Sequence, residues 1–285
     1  AKRAGGRAFG TNSVGYDHFI IHDLTEAGLP LFFTPDVLSA TVAQHAISLM
    51  LFLVNNIAAA DAYVKRGAWR AEGDSAAQRS LLVEDFFKLT VGIVGLGRIG
   101  SELMKLLAQH GPNILWHDVR QGVVRREREI ADSYTNLASL YGYEPTVRYA
   151  AFEELLVGSD VVTVHADLNP STRGLLGERA FAAMRKGAIF VNVARGGIVD
   201  YEALFRRLEN GSLRGAGLDV FAEEPISEGT RERLSRLPNV IATPHVADDR
   251  RTTRNAGWSL VLFGLVNFLL GRSKPTNVVN PETLT

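Results

Sequence analysis

Three short segments place charged or polar residues where an apolar run has just ended: Val193-Ala-Arg195-Gly-Gly, Leu218-Asp219-Val-Phe-Ala-Glu-Glu224-Pro and Thr243-Pro-His245. Together they supply a cation, a carboxylate and an imidazole. Arg195 offers a planar fork that can hold a substrate carboxylate and polarise a neighbouring keto oxygen, a geometry that lysine lacks. His245 can give or take a proton near neutral pH. Glu224 can hydrogen-bond the far ring nitrogen and keep the imidazole loaded with its proton. Such a set suits hydride exchange between a 2-keto acid and a nicotinamide, in which the protein contributes orientation and charge. A lone Arg, Glu or His at a strand end is usually a cap or surface residue, so the functional reading rests on the three as a set.

A second motif states what the hydride carrier would be. Gly95-Leu-Gly97-Arg98-Ile99-Gly100 follows the β-branched run Val91 to Val94 and opens a helical pattern. In this context Gly95 makes a tight turn, Gly97 lets the backbone approach a pyrophosphate, and Gly100 permits close packing of helix on strand. The helix N-terminus then presents N–H groups to the anion. Asp118 closes the next strand at the spacing of an acidic residue that hydrogen-bonds the adenine ribose, which favours NAD over NADP; Arg120 nearby leaves the second cofactor open.

These residues need a scaffold that brings strand ends together. Apolar runs at Val91 to Val94, Ile114 to His117, Val161 to His165, Ala188 to Val193, Gly215 to Val220 and Val240 to Ala242 alternate with helical stretches such as Ile99 to His110 and Tyr201 to Glu209. That alternation predicts an α/β fold with a Rossmann-type, doubly wound parallel sheet. Before it lie a strand-like Arg7 to Thr11, a turn at Val14 to Asp17 and one long helix from about Val42 to Tyr63; after it come a helix over Thr252 to Leu270 and an extended tail marked by Pro275 and Pro281. The flanks, 1–61 plus 249–285, are expected to form a second, smaller substrate domain, with 62–248 as the dinucleotide-binding domain and the site in the cleft. The stretch Gln121 to Arg148 shows no clean period and reads as a surface excursion. Its Arg125, Arg126 and Arg128 alternate with Glu127 and Glu129, which fits a solvated face better than an anion patch.

Composition bounds the partners. The 285 residues, 46% hydrophobic, can bury a large core and exclude a disordered or fibrous chain. The 31 basic and 31 acidic side chains cancel, which removes the electrostatic case for nucleic acid or a membrane surface. There is no cysteine, so a disulfide framework, a thiolate nucleophile and a thiolate-bound metal are excluded; a reducing, cytoplasmic setting is expected and no metal is implied. The greasiest stretches, Ala46 to Val54 and Trp258 to Leu270, fall short of the roughly 20 apolar residues that span a bilayer. The N-terminal run Ala-Lys-Arg-Ala-Gly-Gly-Arg has neither the apolar core of a signal peptide nor an initiator Met and reads as a start inside a larger chain.

The ordered motifs resemble the D-isomer-specific 2-hydroxyacid dehydrogenases, a family that includes phosphoglycerate, glyoxylate/hydroxypyruvate and D-lactate dehydrogenases. The resemblance runs through Ser13-Val-Gly-Tyr-Asp17, Val42-Ala-Gln-His45, Gly95 to Gly100, Val193 to Gly197, Leu218 to Pro225, Thr243-Pro-His245 and Val279-Asn-Pro-Glu282. It implies Arg195, Glu224 and His245 as the catalytic trio, and backbone at Val14 and Gly15 as further substrate-carboxylate contacts. It also implies NAD contacts from Arg98, Ile99, Asp118, Ala166, Val193, Ala194 and Asp219, the last near the nicotinamide amide. His165 would be a packed strand-end histidine, and His45 a structural or interfacial one. The resemblance further implies a flavodoxin-like substrate domain lacking its first βα units here, and a homodimer formed through the helix from Val42 toward Trp69. Gln44 stands where the family often has an acidic residue, and the substrate stays open. So do a non-catalytic NAD-sensing corepressor, a truncated cofactor-binding fragment, and an arginine clamp of Arg250, Arg251 and Arg254 for a phosphorylated substrate, with Asp248 and Asp249 beside it.

Overall fold

A computed structural model describes residues 5–35, 37–72, 81, 83–272 and 275–284. Its contacts divide the chain into two compact units, Ala1–Thr41 with Asp248–Thr285, and the continuous stretch Val42–Ala247.

In the smaller unit, strand β1 (Phe9–Gly10) runs parallel to β2 (Leu31–Phe32), with helix Ile21–Glu26 between them. The tail returns antiparallel to β2 at Val278. Asn280 fastens it there: its side-chain oxygen accepts from Leu31 N at 2.9 Å, and its Nδ2 donates to Leu29 O at 3.1 Å. Helix Arg251–Leu269 lies on this sheet, and Gly10 is what lets it approach, because a Cβ there would sit 2.5 Å from Val261 Cγ1.

The larger unit is built on seven parallel strands: β3 (Thr90–Val94), β4 (Asn113–His117), β5 (Val147–Tyr149), β6 (Val161–Val164), β7 (Ala188–Asn192), β8 (Leu213–Leu218) and β9 (Val240–Ala242). Their spatial order is β5-β4-β3-β6-β7-β8-β9. Parallel neighbours need crossovers, and strands covered on both faces must be apolar on both. Alternate residues accordingly feed two cores. Ala188 and Phe190 of β7 join the cluster of helices Phe152–Gly158, Glu178–Ala183 and Tyr201–Glu209, whereas Ile189 and Val191 join that of helices Ser39–Val54, Arg98–Ala108 and Glu127–Ser139. The chain order reverses between β3 and β6, the switch point at which such sheets open a crevice at their carboxyl edge.

Three expectations need correction. The long helix expected from Val42 to Tyr63 is two, Ser39–Val54 and Ile57–Lys65, bent by 55°. The Asn55 side chain bonds back to Leu51 O at 2.8 Å, and Asn56 takes a left-handed φ of 54°, which asparagine tolerates better than most residues. Among the described residues no single helix is long and apolar enough to cross a membrane. The boundary expected at 61/62 falls instead at 41/42, because Val42, Ala46, Met50 and Val54 pack with Val91, Ile93 and Val191 of the sheet. The stretch 121–148 is no excursion: it folds as helices Gln121–Val124 and Glu127–Ser139 and leads into the edge strand β5. Tyr134 and Ala138 are buried there, and the Tyr134 hydroxyl donates to Pro112 O at 2.8 Å. The arginines face outward, with Arg126 paired to Glu129 at 2.7 Å.

One buried titratable group lies just past β6. His165 is hydrogen-bonded through Nε2 to the Thr163 hydroxyl at 2.9 Å, and burial pushes its pKa down to about 3. As pH falls from the ordinary histidine value near 6.5, the unfolded chain takes up this proton while the native protein refuses it, so native stability declines through that window down to about pH 3.

Two outcomes are expected. In urea titrations His165→Leu flattens the loss of stability on acidification from pH 6.5, where the native histidine alone contributes a slope of up to ~1.4 kcal/mol per pH unit; identical slopes in variant and parent contradict this. Asn280→Ala, which strips the tail of its polar anchor, destabilises the smaller unit by about 1–3 kcal/mol; the check is earlier proteolytic release of the tail on a denaturant series.

Candidate active site

Because every strand of the larger sheet runs the same way, the polar residues that follow the strands gather at one edge. Gly95 follows β3, Asp118 follows β4, His165 and Ala166 follow β6, Val193 to Arg195 follow β7, Asp219 follows β8, and Thr243 to His245 follow β9.

The glycine turn has the shape that the sequence requires. Gly95 has φ +92°, and a Cβ there would lie 2.7 Å from Ala166 N; a Cβ at Gly100 would lie 2.3 Å from Gly95 O. At Gly97 the nearest neighbour of a Cβ would be Arg120 Nη2 at 3.8 Å, which leaves room before the backbone. Gly97 caps helix Arg98–Ala108 without a side-chain acceptor, so Arg98 and Ile99 present first-turn N–H groups that a pyrophosphate can use.

Asp118 is buried and accepts four bonds. Leu96 N and Arg120 Nη2 approach Oδ2 at 2.9 and 2.6 Å; Arg120 N and Nε approach Oδ1 at 2.9 and 2.8 Å. Burial opposes its charge, but the bonds from Arg120 and Leu96 outweigh that and hold the carboxyl below the usual aspartate value. The residue thus ties the glycine turn to the end of β4. Ribose hydroxyls approaching Asp118 would have to share it with Arg120, whose side chain is half exposed.

His245 and Glu224 are brought together: His245 Nδ1 lies 2.7 Å from Glu224 Oε2, and Glu224 Oε1 accepts from Phe221 N at 2.8 Å. The far ring nitrogen, Nε2, is the one left to a reacting oxygen. His245 itself has φ +55°, a left-handed conformation that costs a side-chain-bearing residue about 1–3 kcal/mol and persists only where its surroundings impose it. Here they do. His245 N donates to Asp219 O at 2.8 Å, and the fully buried Asp219 carboxylate accepts from Thr243 Oγ1 at 2.5 Å and from Val246 N and Ala247 N at 3.0 Å each. Asp219, which the resemblance implies near the nicotinamide amide, also holds the turn that carries His245.

Arg195 has extended backbone and donates through Nη1 to Ala194 O at 2.8 Å. Buried Asn192 fixes the segment by accepting from Ala194 N at 3.0 Å and donating to Arg195 O at 3.1 Å. Val193 and Ala194 are buried. Gly196 admits no side chain, since a Cβ would fall 1.8 Å from Phe221 O. Tyr201, which sequence reasoning treated only as a helix start, donates its hydroxyl to Val220 O and packs its ring at a tilt against Phe221 with centroids 5.7 Å apart, supporting the loop that carries Glu224.

In the smaller unit, Val14 and Gly15 form a turn in which Ser13 Oγ donates to Gly15 O at 2.6 Å and Ser13 O accepts from Thr34 N at 3.1 Å. Of the arginines considered for a phosphate clamp, Arg254 is paired with Asp249 at 3.1 Å. Among the described residues no group of three or more His, Asp or Glu could hold a metal ion.

The chain is similar to several known proteins. The family described as "D-isomer specific 2-hydroxyacid dehydrogenase, NAD binding domain" matches residues 47–247. A glyoxylate reductase of Korarchaeum cryptofilum is 34% identical over 272 residues, which cover 95% of this chain and 75% of that protein. A D-3-phosphoglycerate dehydrogenase of Methanocaldococcus jannaschii is 35% identical over 96% of this chain and 47% of its own length. The crystal structure of D-lactate dehydrogenase from Aquifex aeolicus, complexed with NAD and lactic acid, superposes with a TM-score of 0.81 at 26% identity, covering 96% of this chain and 80% of that one. The family match over residues 47–247 and the 34% identity to a glyoxylate reductase along 75% of that protein's length show that this chain belongs to the D-isomer specific 2-hydroxyacid dehydrogenase family.

Proposed function

We propose that the chain interconverts a small 2-keto acid and its 2-hydroxy acid with NAD(H), and that Arg195, Glu224 and His245 carry the reaction. The observation that supports these roles most directly is the 2.7 Å His245–Glu224 pair, at the sheet edge where the glycine turn also lies. Bound NAD(H) gives or takes the hydride through its nicotinamide ring. Gly95, Gly97, Gly100 and the N–H groups of Arg98 and Ile99 would hold its pyrophosphate, Asp118 its adenine ribose, and Ala166, Val193 and Ala194 would line it.

In reduction, Arg195 binds the substrate carboxylate and draws charge toward the keto oxygen. His245 Nε2 releases its proton to that oxygen as the carbon accepts the hydride, and in oxidation it takes the proton back. Glu224 faces Nδ1, so its hydrogen bond orients the ring and fixes which nitrogen points outward. Backbone N–H groups at Val14 and Gly15 are proposed as further carboxylate donors. The relatives named above are called reductases and dehydrogenases, and none is called a corepressor.

We also propose a homodimer. Phe52, Ile57, Val64 and Trp69 are exposed apolar residues on helices Ser39–Val54, Ile57–Lys65 and Ala68–Glu72, and a second copy of this surface would cover them.

The test is NADH oxidation against glyoxylate, hydroxypyruvate, pyruvate and phosphohydroxypyruvate. At least one is turned over. His245→Asn then lowers kcat by about 10²–10⁴-fold, and Arg195→Ala raises KM for the keto acid while NADH binding persists; unchanged turnover in both variants defeats these assignments. Asp118→Ala is expected to erode the preference for NADH over NADPH by about tenfold, the worth of one hydrogen bond to a charged group. An unaltered preference ratio removes Asp118 from cofactor choice.

A further inference from the structure

The larger unit holds a second imidazole beside a carboxylate, and the proton transfer just described does not use it. His45 lies on helix Ser39–Val54 with its side chain only 12% exposed. Its Nε2 is 3.1 Å from Thr243 Oγ1 and 3.5 Å from Asp219 Oδ1. Thr243 already donates its one hydroxyl proton to Asp219 Oδ1 at 2.5 Å. Toward His45 it can therefore only accept. The direction of the chain follows: His45 Nε2–H donates to Thr243 Oγ1, and Thr243 O–H donates to the Asp219 carboxylate.

The far end of this chain is the backbone of His245. Asp219 takes the N–H groups of Val246 and Ala247 on its carboxylate and that of His245 on its main-chain oxygen. These bonds bracket the residue whose φ of +55° must be imposed from outside. Hydrogen bonds in series within a buried site strengthen one another, and a partner lost at one end weakens the rest.

We propose that His45 is a positioning residue for His245: as the outer donor of an imidazole, hydroxyl and carboxylate chain, it holds Thr243 and Asp219 in the arrangement that aims the His245 ring. This rests on His245 being the proton donor and acceptor. Without the outer donor, the Thr243 hydroxyl gains alternative rotamers and the 243–247 turn gains conformers that carry the ring out of line. Turnover falls with the population of the aligned turn. Binding of the dinucleotide's pyrophosphate and adenine ribose, proposed above for Gly95 to Gly100 and Asp118, does not.

The experiment compares His45→Phe, which keeps a ring but removes the donor, with His45→Gln, which returns an N–H at similar reach. The substrate is whichever of the four keto acids the parent protein reduces fastest. His45→Phe is expected to lower kcat by about 10- to 100-fold, the scale of a small misplacement of a reacting group, with KM and the Kd for NADH within about threefold of the parent's. His45→Gln is expected to recover kcat to within about fivefold, a residual cost of one imperfect hydrogen bond. Thr243→Val should match His45→Phe, Thr243→Ser should stay near the parent, and the double variant His45→Phe/Thr243→Val should be little worse than either, because one chain is cut in each. Where His45→Phe fails to fold, His45→Gln and the Thr243 pair decide.

Parental kcat in both His45→Phe and Thr243→Val overturns the proposal. Equal losses in the Phe and Gln variants do so as well, as does a loss of NADH affinity in step with kcat. His245→Asn separates this inference from its premise. If that variant is inactive while those at 45 and 243 match the parent, only the positioning role fails; if it keeps full activity, the proton-transfer assignment fails first.

Discussion

The Asp219 carboxylate, fully buried at the end of β8, is the interaction on which the site depends. An isolated charge in that environment is costly, and it is tolerated because a hydroxyl and two backbone N–H groups converge on it. Those donors all come from the segment after β9, so satisfying the charge also determines the path of that segment. The left-handed backbone at His245 is a consequence. Its unfavourable conformation is imposed by bonds that the buried aspartate requires in any case. Glu224 is placed by a different device: its loop is supported by Tyr201 beneath Phe221 and by the close passage of Gly196 against Phe221 O.

A second constraint is directional. Seven parallel strands end on one edge, so residues far apart in sequence share a neighbourhood without any local signal. The apolar covering that a two-faced sheet demands comes from helices on either side, including Ser39–Val54, and this is why His45 reaches Thr243 across 198 positions of sequence.

Much of this was legible beforehand where a residue type has one physical use. The β-branched runs gave β6 and β9 closely, and the glycine spacing located the turn after β3, since Gly95 and Gly100 permit contacts that no side chain could. The pairing of Glu224 with His245 followed from what the imidazole needs. What stayed hidden depended on distant partners. Strand β5, Val-Arg-Tyr, has three residues and is half exposed at the sheet edge, so its alternation is too brief to read. The helix before it does carry apolar residues at Ile130, Tyr134, Leu137 and Ala138, a helical spacing obscured by dense charge between them. Asp219 was implied as a contact near the nicotinamide amide, but its bonds to Val246 and Ala247, which tie it to the turn after β9, depend on positions that no local pattern reveals. His45 was visible as a histidine on an apolar helix, but nothing local reveals its acceptor.

The two units also differ in how the chain composes them. The larger is one uninterrupted stretch, whereas the smaller is assembled from residues on both sides of it, with Asn280 bonded to Leu29 and Leu31 across about 250 positions. On a ribosome, which delivers the chain from its N-terminus, every strand of the large sheet is available before the tail that completes the small one. The order of synthesis therefore lets the dinucleotide fold form first, while the early β1 and β2 segments wait for a partner not yet made. That interval, set by the time needed to translate the intervening stretch, is when Leu31 and Phe32 lack their final cover and are most open to capture by chaperones.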